Sequence, residues 1–342
     1  MPSKFAPPKP KSLTSAAYAK AAARLAEAPV LSPFGERLVF RSPREWAELV
    51  LPEGFQLAGD NHLCRGDIAF LAGVPACGKS RAAIGLAIAG ALRRPWMGLP
   101  IHCAFKTMII QGENGPVRLR SEFAEIMGGA GMGEVDDAIL ICEPPSEGLA
   151  FHDPSFQRQI RDAITEQGTG LLIIDPWNAV SFRDRVEDFR ESLADVMACL
   201  PRKAEERPAV LIVHHLRKGQ HGVTRRRGRD LLAELAGSYV AGAAARTVFV
   251  LEPASADPDD DRVIFTVAKA NNGKMPASTA WYRRNGLFDP CGDFDWKSWG
   301  SPKARAKVSP SSCRRVTLST LNAVFRARAV PPCSRHPHGR WA

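Results

Sequence analysis

The chain has 342 residues, of which 45% are hydrophobic and 24% charged, and a formal net charge of +10; this is ordinary for a folded protein with room for one large α/β domain and extensions. No apolar run approaches the ~20 residues of a membrane span, the first ten residues lack an apolar leader core, and the eight cysteines form no Cys-x-x-Cys pair, so a membrane protein, a secreted disulfide scaffold and a zinc ribbon are set aside and a cytoplasmic location is expected. The charge is uneven: residues 1–30 carry +4, residues 301–342 carry +9, and the 270 between them sum to −3, so the basic character belongs to the two ends.

In chain order, residues 1–34 read as a flexible basic arm rich in Pro and Ala, with one short helix near 15–28. Residues 35–300 read as an α/β domain, and 301–342 as a basic, largely disordered tail with an isolated helix at 316–328. Within the domain, a compact lead-in at 36–62 precedes a strand at 67–71, a glycine loop, and an Ala/Leu-rich helix at 81–92. Strands follow at 107–111, 138–142, 171–175 and 209–213, separated by helices at 118–127, 154–167 and 186–200. A basic loop at 216–229, a helix at 230–245 and strands at 247–251 and 263–268 complete the pattern. Short apolar strands alternating with helices predict a mostly parallel sheet with helices on both faces.

Gly73-Val74-Pro75-Ala76-Cys77-Gly78-Lys79-Ser80 fits G-x-x-x-x-G-K-[ST] at every fixed position, between a strand and a helix that begins at Arg81. In that setting backbone N–H groups can face a phosphate at the positive end of the helix. Lys79 then supplies a point charge to the β- and γ-phosphates, and the Ser80 hydroxyl can ligate Mg²⁺. Ala76 stands where many such loops have a third glycine, and an alanine is accommodated there if it keeps a negative φ; the Cys77 thiol suggests sensitivity to alkylation.

Other strand ends carry polar groups. Asp175 is a candidate for holding Mg²⁺ opposite Ser80, with a helix or turn cap as the alternative. Glu113, with Asn114 beside it, is a candidate for orienting the water that attacks a γ-phosphate, or else a solvated loop acid. His214 and His215 end a third strand, where one could sense the γ-phosphate. The loop beyond them carries Arg217, Lys218, Arg225, Arg226, Arg227 and Arg229 and no acid. It could neutralise a nucleic-acid backbone, and its lack of aromatics argues against base stacking.

The order of Arg65–Ser80, Ile109-Ile-Gln-Gly-Glu-Asn114, Leu172-Ile-Ile-Asp175, Ile212-Val-His-His-Leu-Arg-Lys-Gly219, Gly237-Ser-Tyr239 and Val267-Ala-Lys-Ala-Asn-Asn-Gly273 resembles the RecA-like P-loop ATPases. Within them it is most similar to the plasmid RepA-type replicative helicases, over about residues 60–285. The resemblance implies a RecA-like P-loop NTPase fold, ATP and Mg²⁺ as cofactors, and a homo-oligomeric ring, commonly a hexamer, around single-stranded DNA. It gives Glu113 the water-activating role, His214 or His215 the sensor role, and Arg246 or Lys269 the finger reaching a neighbour's site. Lys269-Ala-Asn-Asn-Gly273 departs from the Lys-x-Arg-Asn-Gly finger of DnaB-type helicases, because Asn271 replaces the Arg. Arg246 has a helix C-terminal cap as its alternative. The expected activity is Mg-dependent ATP hydrolysis by a DNA-dependent motor or helicase of a mobile or phage-like element. A regulatory ATPase without motor activity and a P-loop kinase are the rivals.

Overall fold

The structure, a computed structural model, describes residues 39–128, 135–143, 148–180, 186–216, 228–235, 239–284 and 286–299. The arm at 1–34, the tail at 301–342, and Arg217, Lys218, Arg225, Arg226 and Arg227 of the basic loop lie outside the described residues. Contacts divide the chain into two units, Met1–Glu53 and Gly54–Ala342. The 36–62 lead-in therefore does not behave as one piece. In the first unit, Pro43–Ala47 (α1) starts at a reciprocal cap: the Ser42 hydroxyl accepts from Glu45 N–H, and the Glu45 carboxylate accepts from Ser42 N–H.

The second unit opens with a two-stranded antiparallel ribbon, Gln56–Ala58 (β1) with Leu63–Cys64 (β2). Then come Ile68–Gly73 (β3), Lys79–Leu92 (α2), Lys106–Gln111 (β4), Pro116–Gly128 (α3), Ile139–Ile141 (β5), Pro154–Gln167 (α4) and Thr169–Asp175 (β6). Val186–Ala198 (α5), Ala209–His215 (β7), Tyr239–Ala244 (α6) and Thr247–Pro253 (β8) follow. Arg262–Ala270 (β9), Thr279–Arg284 (β10) and Leu287–Pro290 (β11) finish the described fold.

These strands form a nine-stranded sheet in the order β11-β10-β9-β8-β3-β7-β6-β4-β5. The six from β8 to β5 are parallel, while β9, β10 and β11 add an antiparallel edge. The mostly parallel α/β reading holds, and β7 separates the glycine-loop strand β3 from β6. Both faces are covered, as unbroken apolar strands require. Leu71, Ile173 and Leu211 face a core shared with Ala82, Ala83 and Leu86 of α2. Their neighbours Phe70, Ile174 and Ile212 face the opposite core, with Ile160 and Ile164 of α4 and Phe189 of α5. The two-residue period of a strand thus sorts each run between two layers.

One expected element is different. In place of a helix at 230–245, Gly228–Glu234 forms a 3₁₀ turn, and α6 begins only at Tyr239. Leu235 makes a bridge to Leu216, a tertiary pairing that a continuous helix would forbid.

Helix α4 begins at Asp153, whose carboxylate accepts from Ser155 N–H (2.7 Å) and Phe156 N–H (2.9 Å). Asp153→Ala should lower unfolding stability by about 1 kcal/mol, read as a shifted urea midpoint with an unchanged slope.

Candidate active site

The site is set by strand register. Gly73 of β3 pairs with His215 of β7, and Gln111 of β4 pairs with Asp175 of β6. These carboxyl ends share one edge of the sheet, where open α/β folds bind ligands. There a cleft of about 580 Å³ is lined by Pro75, Ala76, Gly78, Lys79, Ser80 and Arg81 of the glycine loop, with Glu113, Asp175 and His215 across from them.

Two loop glycines have steric reasons to be glycine. A Cβ on Gly73 would lie 2.5 Å from the Leu251 carbonyl oxygen and 2.6 Å from Cys77 Sγ. Gly78 has φ +97° and stands just ahead of α2, where no side chain caps the first-turn N–H groups. Those donors remain available to an anion. Ala76 does not meet the condition of a negative φ: its φ is +61°, in a left-handed region that costs a non-glycine residue roughly 1–2 kcal/mol. Cys77 corrects a second expectation. Its side chain is 1% exposed and lies under Gly73, so alkylation requires the loop to open.

Lys79 is buried, and its Nζ donates to the Val74 carbonyl at 2.9 Å. Burial pulls its pKa down, against the opposing pull of Cys77, Asp175 and Glu113. Burial likewise pushes the Asp175 carboxyl up to about 6, opposed first by a hydrogen bond from Ser80 and reinforced by nearby Glu113. The 3₁₀ turn Trp177–Ala179 that follows has no side-chain cap, which removes the capping alternative for Asp175. A buried carboxylate beside a hydroxyl is a donor set that suits a hard divalent cation such as Mg²⁺. Among the described residues no cluster of three or more His, Cys, Asp or Glu could hold a metal. Ser80 and Asp175 could therefore hold Mg²⁺ only together with oxygens from a phosphate ligand or water.

Glu113 is exposed at the cleft mouth on a fastened loop. Gly112 N–H donates to the Asp175 carbonyl (3.1 Å), Asn114 N–H to Gln111 Oε1 (2.8 Å), and Gln111 Nε2 to the Cys142 carbonyl (3.3 Å). Asn114 also lines the cleft. The two histidines separate by the pleat of β7. His214 is buried against Phe70 and Phe189, with ring centroids at 5.8 and 6.4 Å. His215 lines the cleft, and its pKa is lowered by burial and by Lys79, against the opposing pull of Glu113. Only His215 joins the site.

Arg246 and Lys269 do not join this chain's own site. Arg246 N–H donates to the Ile68 carbonyl at the start of β3, about 17 Å of strand from Gly73. Lys269 Nζ donates to the carbonyls of Gly242 and Ala245, both at 2.7 Å. The helix-capping role thus falls to Lys269, not Arg246. Arg229 is exposed in the 3₁₀ turn that follows the basic loop.

Five cleft residues have no counterpart in the sequence motifs: Arg118 and Glu122 of α3, Pro176 after β6, Asp261 in the turn before β9, and Arg283 of β10. Arg283 was recognisable as a strand residue, because Asn285-Gly286 after Thr279-Ala-Trp-Tyr-Arg-Arg284 is a two-residue hairpin signal. Across that connection Arg283 pairs with Phe288, next to the Arg284–Leu287 pair.

A family model described as an AAA domain matches residues 46–221. The chain belongs to this AAA domain family. Its glycine loop, between a strand of the mostly parallel sheet and a helix, has the P-loop form. It is similar in structure to a KaiC-like protein, PH0186 of Pyrococcus horikoshii OT3, at 16% identity and TM-score 0.46, over 68% of this chain and 94% of that one. It is also similar to a RadB recombinase, at 10% identity and TM-score 0.43, over 67% of this chain and 92% of that one. No curated protein matches it in sequence at a significant level. Among the described residues, no helix is long and apolar enough to cross a membrane.

The buried carboxyl carries a stability signature. Folded Asp175 titrates at about 6, whereas in the unfolded chain it ionises near 4. Between those values the folded state holds the extra proton, so stability is lost as pH rises through this window, by on the order of 2–3 kcal/mol. Urea unfolding of the ligand-free protein from pH 4 to 7 should show this loss, and Asp175→Asn should lack that component while being more stable at pH 7. Parallel pH profiles for the two proteins would contradict it.

Proposed function

We propose that this ATPase hydrolyses ATP with Mg²⁺ as a DNA-dependent motor or replicative helicase, of the kind found in mobile or phage-like elements. The observation that carries the hydrolytic half is the convergence of Lys79, Ser80, Glu113, Asp175 and His215 on one cleft. The motor half is supported by the resemblance to RepA-type helicases and by the basic loop at 216–229, which directly follows His215.

In this reading the triphosphate lies along residues 73–80, with Lys79 leaving the Val74 carbonyl to meet the β- and γ-phosphates. Ser80 and Asp175 would hold Mg²⁺, which would supply charge neutralisation. Glu113 orients a water and accepts its proton as the water oxygen bonds to the γ-phosphorus. The bond to the bridging oxygen breaks, and ADP and phosphate leave. His215 donates a hydrogen bond to the γ-phosphate and transmits its loss to the loop that follows. Single-stranded DNA contacts Arg217, Lys218, Arg225, Arg226, Arg227 and Arg229 through its backbone. Subunits assemble as a ring, commonly a hexamer, in which Arg246 or Lys269 of one copy serves the next. The position of both at the far end of the sheet from their own glycine loop is compatible with a role in trans.

Lys79→Ala should abolish ATP turnover, and wild-type-like turnover would remove the central claim. Glu113→Gln should retain ATP binding and slow hydrolysis at least about tenfold, separable by nucleotide titration and single-turnover rates. Neutralising Arg225, Arg226 and Arg227 should weaken single-strand binding and flatten its log–log salt slope by up to about 2. A turnover rate indifferent to single-stranded DNA would point instead to a kinase or a regulatory ATPase.

A further inference from the structure

The antiparallel edge delivers an arginine to the backbone of the glycine loop. Arg283 on β10 donates through Nη1 to the Ala76 carbonyl at 3.2 Å. Its other donors go to the carbonyls of Asp260 (Nη2, 3.2 Å) and Asp261 (Nε, 3.4 Å) in the turn before β9. That turn is itself fixed, because Arg262 pairs with both carboxylate oxygens of Asp260 at 2.8 and 2.9 Å. The stem of Arg283 lies on the helix entrance, with Cδ 3.5 Å from where a Gly78 Cβ would stand, and Phe288 of β11 is at 3.4 Å from the same point.

The residue Arg283 holds is the one non-glycine residue of the loop at positive φ. A left-handed alanine persists only where its surroundings over-determine it. Two neighbours contribute: the Pro75 ring fixes φ on one side, and on the other Cys77 is buried with its N–H bonded to the Val74 carbonyl at 3.4 Å. The Cys77 N–H fastens the nitrogen end of the peptide that leaves Ala76. Arg283 fastens its carbonyl end, through a charge-assisted bond whose planar fork is anchored at its other end.

We propose that Arg283 is a positioning residue for ATP binding, which holds Ala76 in the left-handed conformation that the loop needs and so makes up for the missing glycine. The inference rests on reading the cleft as the ATP site. It also links the turn before β9 to the nucleotide, since the same guanidinium spans both.

The test is a titration of a fluorescent ATP analogue, with Mg²⁺, into wild type, Arg283→Ala and Arg283→Lys, each repeated with Ala76→Gly. With Ala at 76, Arg283→Ala should weaken binding about tenfold, the scale of one lost charge-assisted hydrogen bond. With Gly at 76, the same change should cost no more than about threefold, within the scatter of independent sites. Arg283→Lys keeps the charge without the fork; its loss should be smaller and should depend on residue 76 in the same sense, which keeps the comparison decisive if the alanine variant unfolds. Equal losses in both backgrounds, or binding by Arg283→Ala that matches wild type, would overturn the inference while leaving the ATP site standing. A wild-type protein that binds no ATP would overturn both.

Discussion

Parallel pairing of β3 with β7 and of β6 with β4 places Gly73 beside His215 and Gln111 beside Asp175, and the chemistry of the cleft follows from that alignment. A slip of one residue in β7 would exchange His215 for His214 and turn the cleft histidine into the aromatic core. A slip in β4 would carry Glu113 away from Lys79. Such slips are opposed by the two apolar layers: each strand buries alternate residues against α2 on one side and α4 and α5 on the other. The core therefore fixes the site's geometry without supplying any of its polar groups.

Those polar groups are held at a cost. Lys79 and Asp175 are both largely removed from water, and burial is the first cause of each shift, down for the amine and up for the carboxyl. Without a ligand the lysine turns back to a loop carbonyl and the carboxylate takes a hydroxyl hydrogen bond. A phosphate with a divalent cation would satisfy both at once. The ligand-free protein is thus less stable than an uncharged version of the same fold would be, and binding is strengthened by what folding leaves unsatisfied.

Much of this was legible in the sequence, for a physical reason. Asp175, Glu113 and the histidines each follow a buried apolar run, so their place at the carboxyl edge needs only the strand assignment. The choice between His214 and His215 depends on which face of β7 each occupies, and a strand buried on both faces carries no alternation to reveal it. The left-handed φ of Ala76 is not legible in the motif, because it is decided by the surrounding loop, including an arginine more than two hundred residues away. Lys269 reads as a motif lysine, yet its contacts are carbonyls at the end of α6. The helix at 230–245 failed because propensity yielded to the Leu216–Leu235 bridge. The antiparallel edge carried its own hairpin signal in Asn285-Gly286, and with it came Arg283.

The most direct test is an experimental structure of the protein with Mg²⁺ and a non-hydrolysable ATP analogue. The triphosphate should lie along Gly73–Ser80, with Lys79 Nζ moved from the Val74 carbonyl to the phosphates, the cation between Ser80 and the Asp175 side, and the γ-phosphate facing Glu113 and His215. A nucleotide bound elsewhere, or a γ-phosphate out of reach of both Glu113 and His215, would contradict the account.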